Sequence, residues 1–272
     1  MRINISVVLY NTPIKDLNNL LESLDIVESE FTLYIIDNSS TDVLKKSFKF
    51  KDNVVYIHNP ENPGFGSSHN LALNISIKDN VKHHFIINPD VYFKSDVITR
   101  MVNYMEENPD VGMLMPKILN LDGTIQFLPK LLPSPYSVLM RKMKFPRSIY
   151  KNFIDKYELR MVDENLVYDA PILSGCFTLF SIEALKEVGL YDDRFFMYFE
   201  DWDLSRRIYS KFNTRYFPKV SIYHGYDSGA NKSKKLFKIY LNSAFYYFNK
   251  WGWFFDKERK RVNKKTLKQF SY

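Results

Sequence analysis

The chain has 272 residues, enough for one large domain or a domain with a lid, and its 45% hydrophobic and 25% charged residues are those of a soluble globular protein. A single cysteine, Cys176, excludes an internal disulfide framework, and no apolar run approaches the roughly 18 residues of a membrane-spanning helix. The net charge of +7 is uneven: residues 211–272 hold 15 of the 38 Lys and Arg but 3 of the 31 Asp and Glu, so a basic tail follows a slightly acidic body and points to an anionic partner surface.

The 19 Tyr and 22 Phe suit ring-lined grooves, a surface at lipid headgroups, or core filling. The first residues, MRINISVVLYN, alternate like a strand and lack the apolar stretch and small-residue cleavage site of a signal peptide. With the lone cysteine, this places the expected protein in the cytoplasm, with at most peripheral contact at the inner face of the membrane.

In chain order, residues 3–10 form a first strand broken by Asn11-Thr12-Pro13, and Leu17, Leu20, Leu21 and Leu24 follow at helical spacing. Residues 31–36 are a second strand ending in the acidic, turn-rich run from Asp37 to Asp42. Residues 54–58 are a third, followed by Asn62-Pro63-Gly64-Phe65-Gly66 and a helix over 67–77. A fourth strand in HHFIINPDVYF stops at Asn88-Pro89-Asp90, because proline cannot donate to the ladder. Alternating strands and helices predict an α/β fold with a mostly parallel, covered sheet, on one rim of which these Asn- and Asp-bearing ends converge. A carboxylate there, with an amide two residues earlier, suits a hard divalent cation shared with substrate phosphates. Asn-Pro-Asp is also an ordinary turn whose Asp can cap a helix, and alone it does not decide.

Two nucleotide-binding classes are disfavoured. A Rossmann dehydrogenase needs its glycine-rich turn after the first strand, where this chain has Asn11-Thr12-Pro13, and no Gly-Lys-Ser/Thr of a P-loop occurs. After Asp90 come a helix over 97–105, a strand over 111–115, a turn at Leu121-Asp122-Gly123-Thr124, and a Pro-punctuated basic region over 128–160 that reads as an insertion. Gly175-Cys176 lies in a small-residue turn before a strand, and a helix over 182–188 stops at Gly189. Glu200, Asp201 and Asp203 open a further helix. They fit either dipole complementation or a general base held at a rigid helix start. His224 follows a strand and is a candidate metal ligand, whereas His58, His69, His83 and His84 read as structural.

Five pieces in order, VVLYNT, IIDNSSTD, NPGFGSSHN, INPDV and FFMYFEDWDLSRR with YHGYDSG, together resemble family 2 glycosyltransferases of the GT-A fold, in particular their rhamnosyltransferase-like branch. The resemblance implies a catalytic domain over 1–230, with a nucleotide-sugar half to about residue 115 and an acceptor half from about 116, and a basic aromatic helical extension over 231–272. It places nucleotide-sugar contacts on Tyr10, Asn11, Thr12, Asp37, Asn62, Gly64, Phe65, Asn70, Asn88 and Asp90. The metal motif falls on Asn88-Pro89-Asp90, with an amide replacing its first carboxylate, so Asp90 and His224 are the implied ligands of Mn²⁺ or Mg²⁺. The acid pair is Glu200-Asp201, with Asp201 as base. Gly175, Cys176, Phe199 and Trp202 are implied on the acceptor side.

The implied reaction is inverting transfer of a sugar, L-rhamnose from dTDP-rhamnose by the branch, to a saccharide or lipid-linked acceptor in cell-surface polysaccharide synthesis. UDP-sugars of glucose, galactose, GlcNAc or galactofuranose remain open as donors. One base and one displacement give inversion, as in inverting glycosidases. The basic, ring-rich tail fits either a helix at an anionic leaflet or one packed on its own domain, and a homodimer is compatible with the sequence. Rings interleaved with basic residues also describe single-strand nucleic-acid binders, but carboxylates gathered at strand ends would repel phosphate unless a cation intervened, so no nucleic acid is expected. A nucleotidyltransferase would place a glycine-rich basic loop after the first strand, which Asn11-Thr12-Pro13 is not.

Overall fold

The computed structural model describes residues 2–143, 145–225 and 233–270. Tyr226, Asp227 and Ser228 of the last motif lie outside the described residues. Strands β1 (Ile3–Leu9), β2 (Phe31–Asp37), β3 (Val54–His58), β4 (His83–Ile87), β5 (Val91–Tyr92), β6 (Val111–Leu119), β7 (Tyr168–Asp169), β8 (Phe177–Ser181) and β9 (Asn213–His224) form one sheet. Its order is β3-β2-β1-β4-β8-β6-β9-β5, with β7 also on β9. β1 to β4, β6 and β9 run one way; β8 and the two-residue strands β5 and β7 oppose them.

The sheet is covered on both faces, so β1 has no solvent-exposed face although its residues alternate between apolar and polar at its start. Ile3, Ile5, Val7 and Leu9 are fully buried on one side, in the core shared with α1 (Ile14–Leu24) and α4 (Val97–Glu107). On the other, Asn4 and Ser6 are equally buried under α3 (Phe65–Lys78). Gly66, Ser68, Ala72 and Ser76 let α3 approach closely, and buried polar atoms pair between the layers. The Asn4 amide donates to Ser76 Oγ at 2.8 Å, His84 Nδ1 meets the same oxygen at 2.7 Å, and Ser6 Oγ contacts His84 Nε2 at 2.8 Å and His69 Nδ1 at 2.7 Å.

Burial drives the His84 ring down to about 3 and His69 well below its ordinary value, so both rings are neutral in the fold. The unfolded chain takes up those protons below about pH 6.5, so stability is complete above that pH and falls as pH drops toward the folded values, by up to about 1.4 kcal/mol per pH unit per ring. Urea unfolding should therefore show a lower midpoint at pH 5 than at pH 7, and His84→Gln should flatten that slope.

The remaining helices are α2 (Val43–Ser47), α5 (Pro135–Met143), α6 (Arg147–Tyr157), α7 (Ile182–Val188), α8 (Glu200–Tyr209), α9 (Lys234–Trp251) and α10 (Lys257–Lys268). The proline-punctuated region thus contains two helices, α5 and α6. The C-terminal helices build a second core: Tyr240, Tyr247 and Phe248 of α9 and Val262 of α10 enclose Leu132, Ile172, Phe195, Phe199 and Trp202. Arg206 of α8 pairs with Asp256 through two bonds of 2.8 and 2.9 Å, both side chains buried. Asp203 takes Trp251 Nε1 at 2.7 Å and Lys250 Nζ at 2.8 Å. Asp203 therefore anchors α9 to α8, and Asp96, not Asp90, caps the helix after the fourth strand, accepting from the Thr99 amide at 2.9 Å.

Candidate active site

Because β1, β2, β4 and β9 run the same way, their carboxyl ends lie on one rim, and the order reverses between β1 and β4, where open α/β sheets bind ligands. At the first end Tyr10 is exposed, Asn11 adopts a left-handed φ of 50°, and its N–H donates to Ser39 Oγ at 2.9 Å. Thr12 Oγ1 accepts from the Tyr10 amide at 3.2 Å. At the second end the buried Asp37 carboxylate accepts the Ser39 N–H at 2.9 Å and the Tyr56 hydroxyl. Asn38 donates to Ser68 Oγ at 2.7 Å and Asn62 Oδ1 at 3.3 Å, stitching this end to the start of α3.

Gly64 has φ 107°, and a Cβ there would lie 2.2 Å from the Phe196 carbonyl oxygen, so no side chain fits. The same oxygen accepts the Phe65 N–H at 2.9 Å. This contact closes the glycine loop against the segment entering α8, where Tyr198 and Phe199 have φ of 70° and 67°. Consecutive non-glycine residues in that region are strained, a feature that concentrates at functional sites.

The acidic ends meet around one peptide. The Cys176 carbonyl accepts the Asn88 N–H at 2.8 Å, and the neighbouring Gly175 N–H donates to Asp201 Oδ2 at 3.2 Å. Asp90 Oδ1 lies 3.4 Å from His224 Nε2, and Gly225 N–H donates to the Asp90 carbonyl at 3.0 Å. Gln126 holds the other side of the histidine, its Oε1 at 3.1 Å from Nδ1 and its amide donating to the His224 carbonyl at 2.9 Å. Burial favours a neutral His224, but Cys176 and the Asp90 carboxylate beside it prevail and push the ring up to about 10.

The donor set fits a hard divalent cation. Asp90 supplies a carboxylate, His224 a ring nitrogen once a cation displaces its proton, and Asn88 Oδ1 is buried with no hydrogen-bond partner. Among the described residues no three His, Cys, Asp or Glu gather into a site, and the Asn88 amide oxygen is the group that could stand third beside Asp90 and His224.

The acid pair divides its labour by environment. Burial raises both carboxyls, and the charge on Asp201 raises Glu200 further. Asp201 accepts the Gly175 N–H and, at 2.9 Å, the Trp202 N–H, and it feels the Lys130 ammonium. Glu200 Oε2 is buried with no partner. The proton therefore resides on Glu200 and the charge on Asp201.

The structure brings Asn88, Asp90, His224, Gly175, Cys176, Asp201 and Phe65 together, with Tyr10, Asn11, Thr12, Asp37, Asn62 and Gly64 along the adjoining rim. It does not bring Asn70, Phe199 or Trp202 to an open face. The Asn70 amide donates to the Tyr191 carbonyl and Asp193 Oδ1, both at 2.9 Å, and its oxygen accepts the Tyr191 N–H at 3.1 Å, so this residue clamps a loop. Phe199 is 2% exposed and Trp202 9%, because α9 covers one with Tyr240 and Tyr247 and Arg141 lies over the other.

Lys130 and Gln126 escaped sequence reasoning: nothing in a basic, proline-rich stretch marks one lysine as buried beside a carboxylate. Lys130 is driven down to about 8, by burial first, with Glu158 opposing.

The sequence profile described as glycosyl transferase family 2 matches residues 5–189. The chain is 22% identical over 245 residues to the rhamnosyltransferase WbbL of Escherichia coli, covering 85% of this chain and 87% of that one. It is 26% identical over 212 residues to an N-acetylglucosaminyl-diphospho-decaprenol L-rhamnosyltransferase of Mycobacterium tuberculosis, covering 72% and 67%. A 23% identical relative from Haloferax volcanii, a low-salt glycan biosynthesis hexosyltransferase, shares 71% of this chain, which spans only 57% of that protein. Among solved structures, GalNAc-T7 with UDP, GalNAc and Mn²⁺ superposes with a TM-score of 0.61 at 13% identity over 84% of this chain and 43% of that one. Staphylococcus aureus TarS residues 1–349 in complex with UDP gives 0.58 at 15% identity over 100% and 72%. The sheet is thus the GT-A fold, and with its profile match over more than half its length the chain belongs to glycosyl transferase family 2.

Proposed function

We propose that the protein is an inverting, metal-dependent glycosyltransferase that moves a hexose, L-rhamnose from dTDP-rhamnose, onto a hydroxyl of a saccharide or lipid-linked acceptor in cell-surface polysaccharide synthesis. The observation carrying this is the Gly175-Cys176 turn, whose Gly175 N–H holds the Asp201 carboxylate while its Cys176 carbonyl holds Asn88 of the Asn88, Asp90 and His224 donor set. The donor assignment rests on the two rhamnosyltransferase relatives.

A divalent cation held by Asp90, His224 and Asn88 would neutralise the departing diphosphate. The rim residues Tyr10 to Thr12 and Asn62 face the nucleotide, with the buried Asp37 behind them holding the Ser39 N–H and the Tyr56 hydroxyl. Asp201, fixed by two backbone N–H groups, accepts the proton of the attacking hydroxyl, and Glu200, protonated, adds no second charge. No covalent intermediate is required.

A thermal-shift panel tests the reading. dTDP should raise the melting temperature only with Mn²⁺ or Mg²⁺, and Asp90→Ala should abolish the metal-dependent part. Stabilisation by UDP instead of dTDP would redirect the donor to a UDP-sugar. No metal-dependent shift with any nucleoside diphosphate would defeat the proposal, as would a salt-sensitive shift of labelled oligonucleotide alone.

Lys130 lowers the Asp201 carboxyl through its charge, so removing it raises that group. Lys130→Met should therefore move the acidic limb of the pH–rate profile to higher pH, with KM for the donor little changed.

We infer contact with an anionic leaflet from α5 and α9. Phe237, Leu241 and Phe245 form an exposed stripe at helical spacing on α9, and Tyr136, Leu139 and Met143 are exposed on α5. Lys142 Nζ lies 5.5 Å from the Phe237 ring centroid and 4.6 Å from that of Tyr240, joining the two helices. Phe254 and Phe255 protrude nearby in sequence at 72% and 97% exposure. Among the described residues no helix is long and apolar enough to cross a membrane. Flotation with phosphatidylglycerol vesicles should weaken with salt and in Phe254→Ser/Phe255→Ser, while neutral vesicles recruit little protein.

A further inference from the structure

A groove of about 960 Å³ runs between α6 and α10, apart from the groups above. Its floor is apolar: Leu131, Leu132, Phe153, Tyr157, Leu267 and Phe270. Among the described residues its other liners include Lys156, Arg259, Lys260, Lys264 and Lys268 and not one Asp or Glu. Lys260, Lys264 and Lys268 recur every fourth residue along α10, so they share one side of that helix, over about 12 Å at the α-helical rise.

We propose that this groove binds a single-chain lipid phosphate, an alkyl or prenyl chain lying on the floor with its phosphate or diphosphate against the lysine row. The size is that of a ligand pocket, which spans roughly 300–1,000 Å³. An apolar floor walled by cations without a carboxylate is complementary to an anionic amphiphile. A neutral chain would leave Lys156, Lys260 and Lys264 unmatched, and an inorganic anion would leave the floor uncovered. A bilayer cannot enter a groove between two helices, whereas one chain can.

The location connects the groove to chemistry. Leu131 N–H donates to the Tyr157 carbonyl at 3.0 Å, and these two groove residues precede or follow Lys130 and Glu158, the pair whose charges act next to Asp201. Asn263 fixes the same segment from α10, its Oδ1 accepting the Leu132 N–H at 2.7 Å and its amide donating to the Leu132 carbonyl at 3.0 Å. One segment therefore faces the base on one side and the groove on the other. Identifying the bound amphiphile as the acceptor's carrier rests on the glycosyl-transfer reading; the groove's ligand chemistry does not.

Binding is measured without turnover, by titrating the full chain with farnesyl phosphate, farnesol, inorganic phosphate and phosphatidylglycerol vesicles while following tryptophan fluorescence. Farnesyl phosphate should bind at least tenfold tighter than farnesol or inorganic phosphate. Geranyl phosphate should bind weaker than farnesyl phosphate, since each buried methylene is worth about fourfold in affinity. Lys260→Glu/Lys264→Glu, on an exposed helix side, should lose tenfold or more for farnesyl phosphate, leave farnesol unchanged and retain the metal-dependent nucleotide shift. Met161→Glu, at the groove edge, should weaken both farnesyl ligands. Equal binding of inorganic and farnesyl phosphate, or a farnesyl phosphate affinity untouched by both variants, would overturn the assignment; so would vesicles without any single-chain phosphate competing as well as farnesyl phosphate. Loss of the nucleotide shift with lipid phosphate binding intact would sink the transferase reading alone.

Discussion

Asp201→Asn should reduce sugar transfer by about a thousandfold while metal-dependent nucleotide binding survives, since a positioned general base is typically worth 10²–10⁴ in rate. The amide keeps the oxygen that accepts the Gly175 N–H or that of Trp202 and keeps the side-chain volume, but it cannot hold a proton. Glu200→Gln is the control that makes the experiment decisive. Glu200 is already neutral, its Oε2 has no partner, and an amide resembles a protonated carboxyl, so most of the activity should remain. Single-turnover transfer from the donor, with dTDP binding followed in parallel, separates the two. Equal losses in both variants would mean that the pair shares the base function. Loss of nucleotide binding in Asp201→Asn would show that this carboxylate supports the donor site and is not the base.

The parts of this arrangement that sequence could show are those written as interruptions. Asn88-Pro89-Asp90 after an apolar run, Asp37 after another and His224 after a third announce carboxylates and a ring at strand ends, and parallel pairing then puts those ends on one rim. Asp201 was legible from the residues only as one of three carboxylates at a helix start, with Glu200 and Asp203; the family resemblance singled it out. The remainder depends on contacts across the chain that leave no periodic trace. Gly64 is required by a carbonyl 132 residues away, at Phe196. The family resemblance placed Asn70 among the nucleotide contacts, yet α3 turns it toward Tyr191. The rings of the tail read equally as membrane-facing and buried. Helical geometry sorts them, with Tyr240, Tyr247 and Phe248 inward and Phe237, Leu241 and Phe245 outward, but only the position of α8 fixes which side is inward.

The second large effect concerns how α8 is held. Asp256→Ala should destabilise the fold by about 3 kcal/mol, the low end for breaking a buried pair, because the Arg206 guanidinium loses two bonds and keeps only Glu258 Oε2 at 3.1 Å. Loss of the α10 cap, where Asp256 Oδ1 accepts the Arg259 N–H at 2.8 Å, adds about 1 kcal/mol. Against a typical total of about 5–15 kcal/mol this is a large share, and it falls on α8, the helix whose first turn carries Asp201. Urea unfolding at pH 7 should show it as a lower midpoint. Arg206→Met/Asp256→Leu should recover much of the deficit, since an apolar pair removes both buried charges together. The pH dependence gives an independent check. Burial alone would raise the Asp256 carboxyl, but its bonds with Arg206 prevail and hold it below the ordinary carboxylate range. A depressed carboxyl stabilises the fold above the unfolded value of about 3.9 and ceases to do so as pH falls through the folded value. The difference between wild type and Asp256→Ala should thus be full at pH 7 and shrink below about pH 4. A gap that stays constant into that acid range would assign the stabilisation to packing of the Asp256 side chain and not to its charge.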